Sequence, residues 1–231
     1  DHLGRFLRMA VDYKEKIGAN FTLLIEPKPR EPTKHQYDYD AQTVIGFLRK
    51  YHLENDFKLN IEPNHTTLAG HDYEHDIVFA CNEGMLGSVD ANTGDPMLGW
   101  DTDQFPMDVK KAVIVLYHIV RSGGLHTGGL NFDARIRRES VEMEDRFIAH
   151  IGAMDTFAHA LLIVQEIIQD NIYPAIVERR YRSYNSGIGE RIENGRATFE
   201  ECERYILEHG KPTPRSAKQE SFEILLNHYL Y

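Results

Sequence analysis

Apolar positions along the chain switch between a helical and an extended period, and the switch repeats. Leu3, Phe6, Leu7, Ala10, Val11 and Ile17 recur at the spacing of an amphipathic helix, which Gly18 stops. The apolar run at 21–25 predicts a strand ending at Glu26 and Pro27, because proline cannot continue a central ladder. Ala41, Val44, Ile45 and Leu48 mark a second helix, and residues 57–61 a second strand that ends at Glu62 and Pro63. The triplet Ile-Glu-Pro thus occurs at 25–27 and again at 61–63, a separation that suits one βα unit. A third unit has a helix over about 68–81 and a strand at 85–89 ending at Asp90. A fourth has a helix over about 108–121, with Val109, Ala112, Val113, Leu116, Ile119 and Val120 on one face. Gly123 and Gly124 close that helix, and a short strand at 130–132 ends at Asp133.

Strands alternating with helices imply a parallel sheet, and right-handed crossovers place all the strand carboxyl ends on one edge. Each of those ends carries an acid: Glu26, Glu62, Asp90 and Asp133. Past residue 139 the strands stop. Helical patterns cover 140–171 and 173–184, Thr198 with Glu201 forms a capping box opening a helix that Gly210 ends, and Ser216 with Gln219 opens a last one. Residues 186–189 and 211–214 read as connectors. The expected organisation is an α/β unit over 1–139 that holds the site, then an all-helical extension over 140–231. The extension is expected to serve oligomerisation, since its amphipathic patterns otherwise leave apolar faces in water.

Charge and cysteine content narrow the setting. The 231 residues, 42% apolar, suffice for one large core or two small ones. With 26 basic against 36 acidic residues, the net charge of −10 argues against nucleic acid or an anionic membrane as partner. Cys81 and Cys202 lie far apart without metal-ligand spacing, so a reducing cytoplasm is the expected compartment. No apolar run is read as approaching the roughly 20 residues needed to cross a bilayer, and no signal peptide is expected. The chain opens at Asp1, inside a helical pattern, which suggests a processed or truncated product.

The acids converge further. Asp101 and Asp103, two apart in a segment read as extended, face one side and can grip one ion. His65 follows Glu62 by three positions, close enough to share a metal with it. Six carboxylates packed together repel and raise one another's pKa values, a conflict that bound cations remove. Carboxylate oxygens with a single imidazole suit Mg2+, Mn2+ or Co2+, whereas no thiolate points to structural zinc. Singly, each acid at a strand end is equally a turn or cap residue; it is the fourfold repetition that points to a site. Asp95 reads as a turn residue, and His71, His75, His118, His126 and His159 as structural or surface groups. Lys28, just past Glu26 and Pro27, is either an ion-pair partner of the cluster or a group that polarises a substrate oxygen.

Five segments carry a resemblance. They are 24–38 (LIEPKPREPTKHQYD), 61–71 (IEPNHTTLAGH), 90–95 (DANTGD), 99–106 (GWDTDQFP) and 128–134 (GGLNFDA). Together they resemble the xylose isomerases in their longer, class II form, and the similarity continues through the helical tail. The resemblance implies half of a (β/α)8 TIM barrel, four parallel βα units, followed by a helical extension. It implies two divalent metal ions, Mg2+ with Mn2+ or Co2+ as substitutes. One would be held by Glu26, Glu62, Asp90 and Asp133, and the other by Glu62, His65, Asp101 and Asp103, with Glu62 bridging. It further implies interconversion of xylose and xylulose, and often of glucose and fructose, by a metal-assisted hydride shift without nicotinamide. Asp101 would assist a water, and Lys28 would hydrogen-bond the C1 oxygen of the sugar.

The family's first four strands have no counterpart here, nor do its ring-opening histidine–aspartate pair and the aromatic walls of its sugar pocket. The expected partners are therefore a sugar, the N-terminal half of the barrel, and further copies in a dimer or tetramer. Two other readings stand beside an isomerase truncated at its front. One is a metal-binding, oligomerising piece of that enzyme without turnover. The other is a different metal-dependent reaction on a similar barrel, such as a phosphodiesterase or sugar epimerase, which usually draws on more histidines.

Overall fold

The computed structural model describes residues 1–231. Its elements are α1 (His2–Lys16), β1 (Leu23–Ile25), α2 (Ala41–Lys50), β2 (Phe57–Ile61), α3 (Pro63–Leu68), α4 (His75–Asn82), β3 (Leu86–Asp90), α5 (Val109–Arg121) and β4 (Leu130–Asn131). Then come α6 (Met143–Asp170), α7 (Ile172–Tyr181), a 3-10 turn (Arg182–Asn185), α8 (Gly187–Glu193), α9 (Phe199–His209) and α10 (Gln219–Leu230). The four strands form one parallel sheet in the order β1-β2-β3-β4, the topology of half a (β/α)8 barrel.

Alternation along the strands decides which face the helices cover. In β2, Phe57, Leu59 and Ile61 are buried while Lys58 and Asn60 are only partly so. The buried set meets the apolar faces of the helices, where Val44, Ile45 and Leu48 of α2, Ile77 and Ala80 of α4, and Val113 and Leu116 of α5 are all buried. The opposite face is open, with a cavity of about 590 Å3 bordered by Leu24, Lys58, Gly87, Ser88 and Gly128. Two helices of the sheet unit start at an aspartate cap. Asp40 caps α2 by accepting from Thr43 N, and Asp108 caps α5 by accepting from Lys111 N.

Three expectations change. The helix expected at 68–81 is two helices: Pro63 sits in the first turn of α3, where its missing N–H is harmless, and Gly70 at φ 91° ends that helix before α4 begins. The connector expected at 186–189 opens α8, whose Gly189 packs where a Cβ would lie 2.0 Å from the Ser183 carbonyl oxygen. And α6 is long and apolar enough, by length and composition, to cross a membrane. Charges at Asp155 and Glu166 break its apolar run when the sequence is scanned for uninterrupted stretches. Its buried positions Ala153, Phe157, Ala160, Val164 and Ile167 recur every four and three residues, a stripe along one face, while Ile148, Ile151, Met154 and Leu162 on the helix are exposed.

The chain divides into two compact units, Asp1–Leu161 and Leu162–Tyr231. The strands do end before residue 140, but the first half of α6 stays with the sheet unit through ring contacts. His150 meets Phe105 edge-on at 4.6 Å, and Phe157 lies 6.2 Å from Phe132. In the second unit the capping box of α9 is present, with Thr198 and Glu201 each bonding the other's backbone. Arg191 of α8 pairs with Glu201 at 2.8 Å, and Tyr229 of α10 donates to Asp170 at 2.8 Å.

One close approach inside the sheet unit is testable. A Cβ on Gly128 would sit 1.6 Å from the Gly87 carbonyl oxygen, whereas one on Gly129 meets nothing within 4 Å. Gly128→Ala is expected to destabilise the fold by roughly 1–3 kcal/mol or more, and Gly129→Ala by less than about 0.5 kcal/mol. Urea denaturation measures both; equal stability of the two variants would contradict the register described.

Candidate metal centre

The parallel topology brings the strand-end acids to one edge. Glu26 follows β1, Glu62 follows β2, Asp90 is the last residue of β3, and Asp133 lies just beyond β4. Glu62 is also the N-cap of α3, so the first turn of that helix swings His65 back toward the edge. There His65, 3% exposed, places Nε2 at 3.2 Å from Glu62 and 3.1 Å from Asp101, while Nδ1 lies 3.0 Å from the Pro27 carbonyl oxygen.

Donor atoms fall into three sets: Glu26, Glu62 and His65; Glu62, Asp90 and Asp133; and Glu62, Asp101 and Asp103. Within each set they lie within 4.8 Å of one another. Glu62, 2% exposed, belongs to all three. All seven residues singled out from the sequence as ligands therefore meet in one place. Asp101 and Asp103 meet for a different reason from the one expected. The segment is not regularly extended there: Asp103 has φ 43°, and its carboxyl group hydrogen-bonds that of Asp101. Lys28 also reaches the cluster and donates to Asp101 Oδ2 at 2.5 Å.

Sequence reasoning missed the neutral groups that hold these acids. Asn60 Nδ2 donates to Glu26 at 2.9 Å and to Asp90 at 2.7 Å, cross-linking two like charges. Asn92, fully buried, donates to Glu62 at 2.7 Å and to the Asp133 carbonyl oxygen at 2.7 Å. Asn64 and Asn131 donate to Asp101 and Asp90 respectively. Arg135 pairs with Asp103 at 2.7 Å. A signal was present in the sequence: asparagine is depleted from strands, so Asn60 inside the β2 run marks a polar demand there.

The electrostatics fit a cation site. Burial pushes Glu62 up to about 8, with Asp101 and Glu26 adding to the rise. Burial and then the neighbouring Asp101 raise Asp103 to about 6. Burial also raises Glu26. Asp101 moves the other way: burial works against its charge, but hydrogen bonds from His65, Asp103 and Lys28 outweigh that and hold it well below the usual range. Burial opposes charge on His65 too, yet its bond to Asp101 and the nearby Glu62 and Glu26 raise it. Protons thus compete for oxygens that a divalent cation would satisfy, and the donor set, oxygen-rich with one imidazole, suits a hard cation.

Fold and site together define a class: four βα units of a barrel with a carboxylate cluster able to hold divalent metal at the carboxyl edge. The family described as the XylA2 C-terminal domain matches residues 177–230. Xylose isomerases of Thermoanaerobacterium thermosaccharolyticum and Caldicellulosiruptor bescii are 50% and 51% identical over 231 residues. That of Escherichia coli O139:H28 is 52% identical over 232. Each alignment takes in 100% of this chain and 53% of the relative, so the chain spans about half the length of the curated relatives it matches. Along its whole length the chain is similar to xylose isomerases, and its last helices match their C-terminal domain family.

A pH dependence follows. Glu62, Asp103 and Glu26 have folded pKa values above their unfolded ones, so the fold binds extra protons between about 4 and 8. Their contribution is full below the unfolded values and is lost as pH rises through about 6 and about 8. His65 has the same sign; Asp101, with its lowered value, stabilises the fold above its ordinary 3.8 and loses that contribution only as pH falls below it, outside this window. In EDTA the melting temperature is expected to fall between pH 5 and pH 8.5, and saturating Mg2+ to remove most of that fall. A melting temperature that rises across this window in EDTA would contradict the electrostatics.

Proposed function

We propose that residues 1–231 form the metal-binding part of an aldose–ketose isomerase that interconverts D-xylose and D-xylulose, and glucose and fructose alongside. The observation that carries this reading is the place of Glu62, shared by all three donor sets as a carboxylate bridging two cations would be. On this reading Glu26, Glu62, Asp90 and Asp133 hold one Mg2+, and Glu62, His65, Asp101 and Asp103 hold a second, with Mn2+ or Co2+ able to substitute. Bound there, the ions supply Lewis acidity and neutralise the carboxylates.

The chain's own groups supply the rest. Lys28 is kept charged, because the Asp101 hydrogen bond and charge outweigh its burial, and it donates to the sugar C1 oxygen as negative charge develops there. Asp101 stays ionised at neutral pH and orients the water that takes the substrate hydroxyl proton. A hydride moves from C2 to C1 inside one molecule while the proton leaves O2 and returns at O1. Atoms and electrons balance, and no redox cofactor enters.

One observation favours a second reading, a metal-binding and oligomerising chain without turnover by itself. The sheet has open edges at β1 and β4 and a bare inner face. The N-terminal half of a barrel would cover that face. Copies of the chain would associate as a dimer or tetramer through the helical part, where Phe199 and Leu207 are 91% and 80% exposed. The free Cys81 and Cys202 support a cytoplasmic setting.

A chimera separates these readings. Residues 1–231 replace the matching part of the Caldicellulosiruptor bescii xylose isomerase, and ketose formation from xylose is followed with Mg2+. The chimera is expected to be active, and Glu62→Gln to lower kcat by at least about 100-fold. Residues 1–231 alone are expected to form no ketose under the second reading. An active chimera indifferent to Glu62→Gln would overturn the assignment.

A further inference from the structure

We propose that His71, His75 and Asp76 form a second cation site, separate from the carboxylate cluster, that takes a borderline transition ion such as Zn2+ or Co2+ and ties the turn after α3 to the start of α4. One donor atom from each of the three lies within 4.8 Å of the other two. The site is built from three segments: His71 in the turn after α3, His75 and Asp76 in the first turn of α4, and the start of α2 facing them.

Asp76, 2% exposed, is the anchor. Its Oδ2 accepts from the Ala41 amide at 3.3 Å and its Oδ1 faces His75 Nδ1 at 3.0 Å. Neither neighbour brings a permanent positive charge to this buried carboxylate, and no lysine or arginine pairs with it. The His71 and His75 rings stack with centroids 4.1 Å apart and 12° between their planes. A cation about 2.1 Å from each donor requires these rings to turn and close in. Both are partly exposed, with 27% and 33% of their side chains accessible, so they have room to do so.

Behind His71 stands Asp40, whose Oδ2 lies 3.0 Å from Nε2. Its other oxygen accepts from Thr43 N and Oγ1 at 2.8 and 2.7 Å. A carboxylate fixed in this way orients an imidazole and makes it a better ligand. Two imidazoles and one carboxylate, with a fourth position left to water, select Zn2+ or Co2+ over Mg2+, which the oxygen-rich cluster at the strand ends prefers. The two sites therefore differ in chemistry as well as place.

Cobalt distinguishes them, because four-coordinate Co2+ absorbs visible light far more strongly than six-coordinate Co2+. The 231-residue protein, saturated with Mg2+, is titrated with Co2+ and its visible spectrum followed. One equivalent with an intense band is expected. His75→Gln should weaken that binding on the order of 100-fold while leaving Mg2+ binding at the Glu62 cluster unchanged, and Glu62→Gln should keep the band. Absence of an intense band in the unsubstituted protein, or an undiminished band in folded His75→Gln, would overturn the proposal. Should His75→Gln fail to fold, His71→Gln is read in its place, with the same loss expected.

Discussion

The structure depends on one constraint: several carboxylates are held together, partly out of water, at the carboxyl edge of a parallel sheet. Glu62 is the extreme case, 2% exposed and facing His65, Asp101 and Glu26. Buried charges of one sign repel and lose hydration, so such a cluster persists only with compensation. Part of it comes from the chain. Asn60 and Asn92 place neutral amide donors between acids, and Lys28 and Arg135 bring positive charge from the side. The raised pKa values of Glu62 and Asp103 show that this compensation is incomplete, and divalent cations are the natural remainder.

The sheet topology makes the cluster possible. Parallel strands joined by helical crossovers all point their carboxyl ends the same way, so one acid per strand end is enough to assemble a polyvalent site. The same arrangement leaves a cavity on the inner strand face, lined by Lys58, Gly87 and Ser88. A relationship to xylose isomerases along the whole chain, over about half of their length, accounts for both features.

Much of this was legible in the residues. The two Ile-Glu-Pro triplets, with Asp90 and Asp133 in equivalent places, announced the edge and its acids before any coordinates. What escaped notice has physical causes. An extended segment would set Asp101 and Asp103 on one side, whereas Asp103 has a positive φ, and backbone handedness at a non-glycine residue leaves no pattern to read. Gly70, at φ 91°, ends α3, and the polar residues 71–74 separate it from α4. Single charges at Asp155 and Glu166 interrupt the apolar content of α6, and its buried stripe runs past them. Asn92, unlike Asn60 inside β2, carries no sequence mark of its purpose; only convergence in space shows which acid it serves.

Manganese offers the most direct test of the central idea, since paired Mn2+ ions differ by electron paramagnetic resonance from isolated ones. A titration of the protein at pH 8 is expected to reach two Mn2+ at the strand-end cluster with the signal of a spin-coupled pair, and Glu62→Gln to abolish the coupling. An uncoupled signal at full occupancy, or coupling that survives loss of the Glu62 carboxylate, would contradict the shared-carboxylate account.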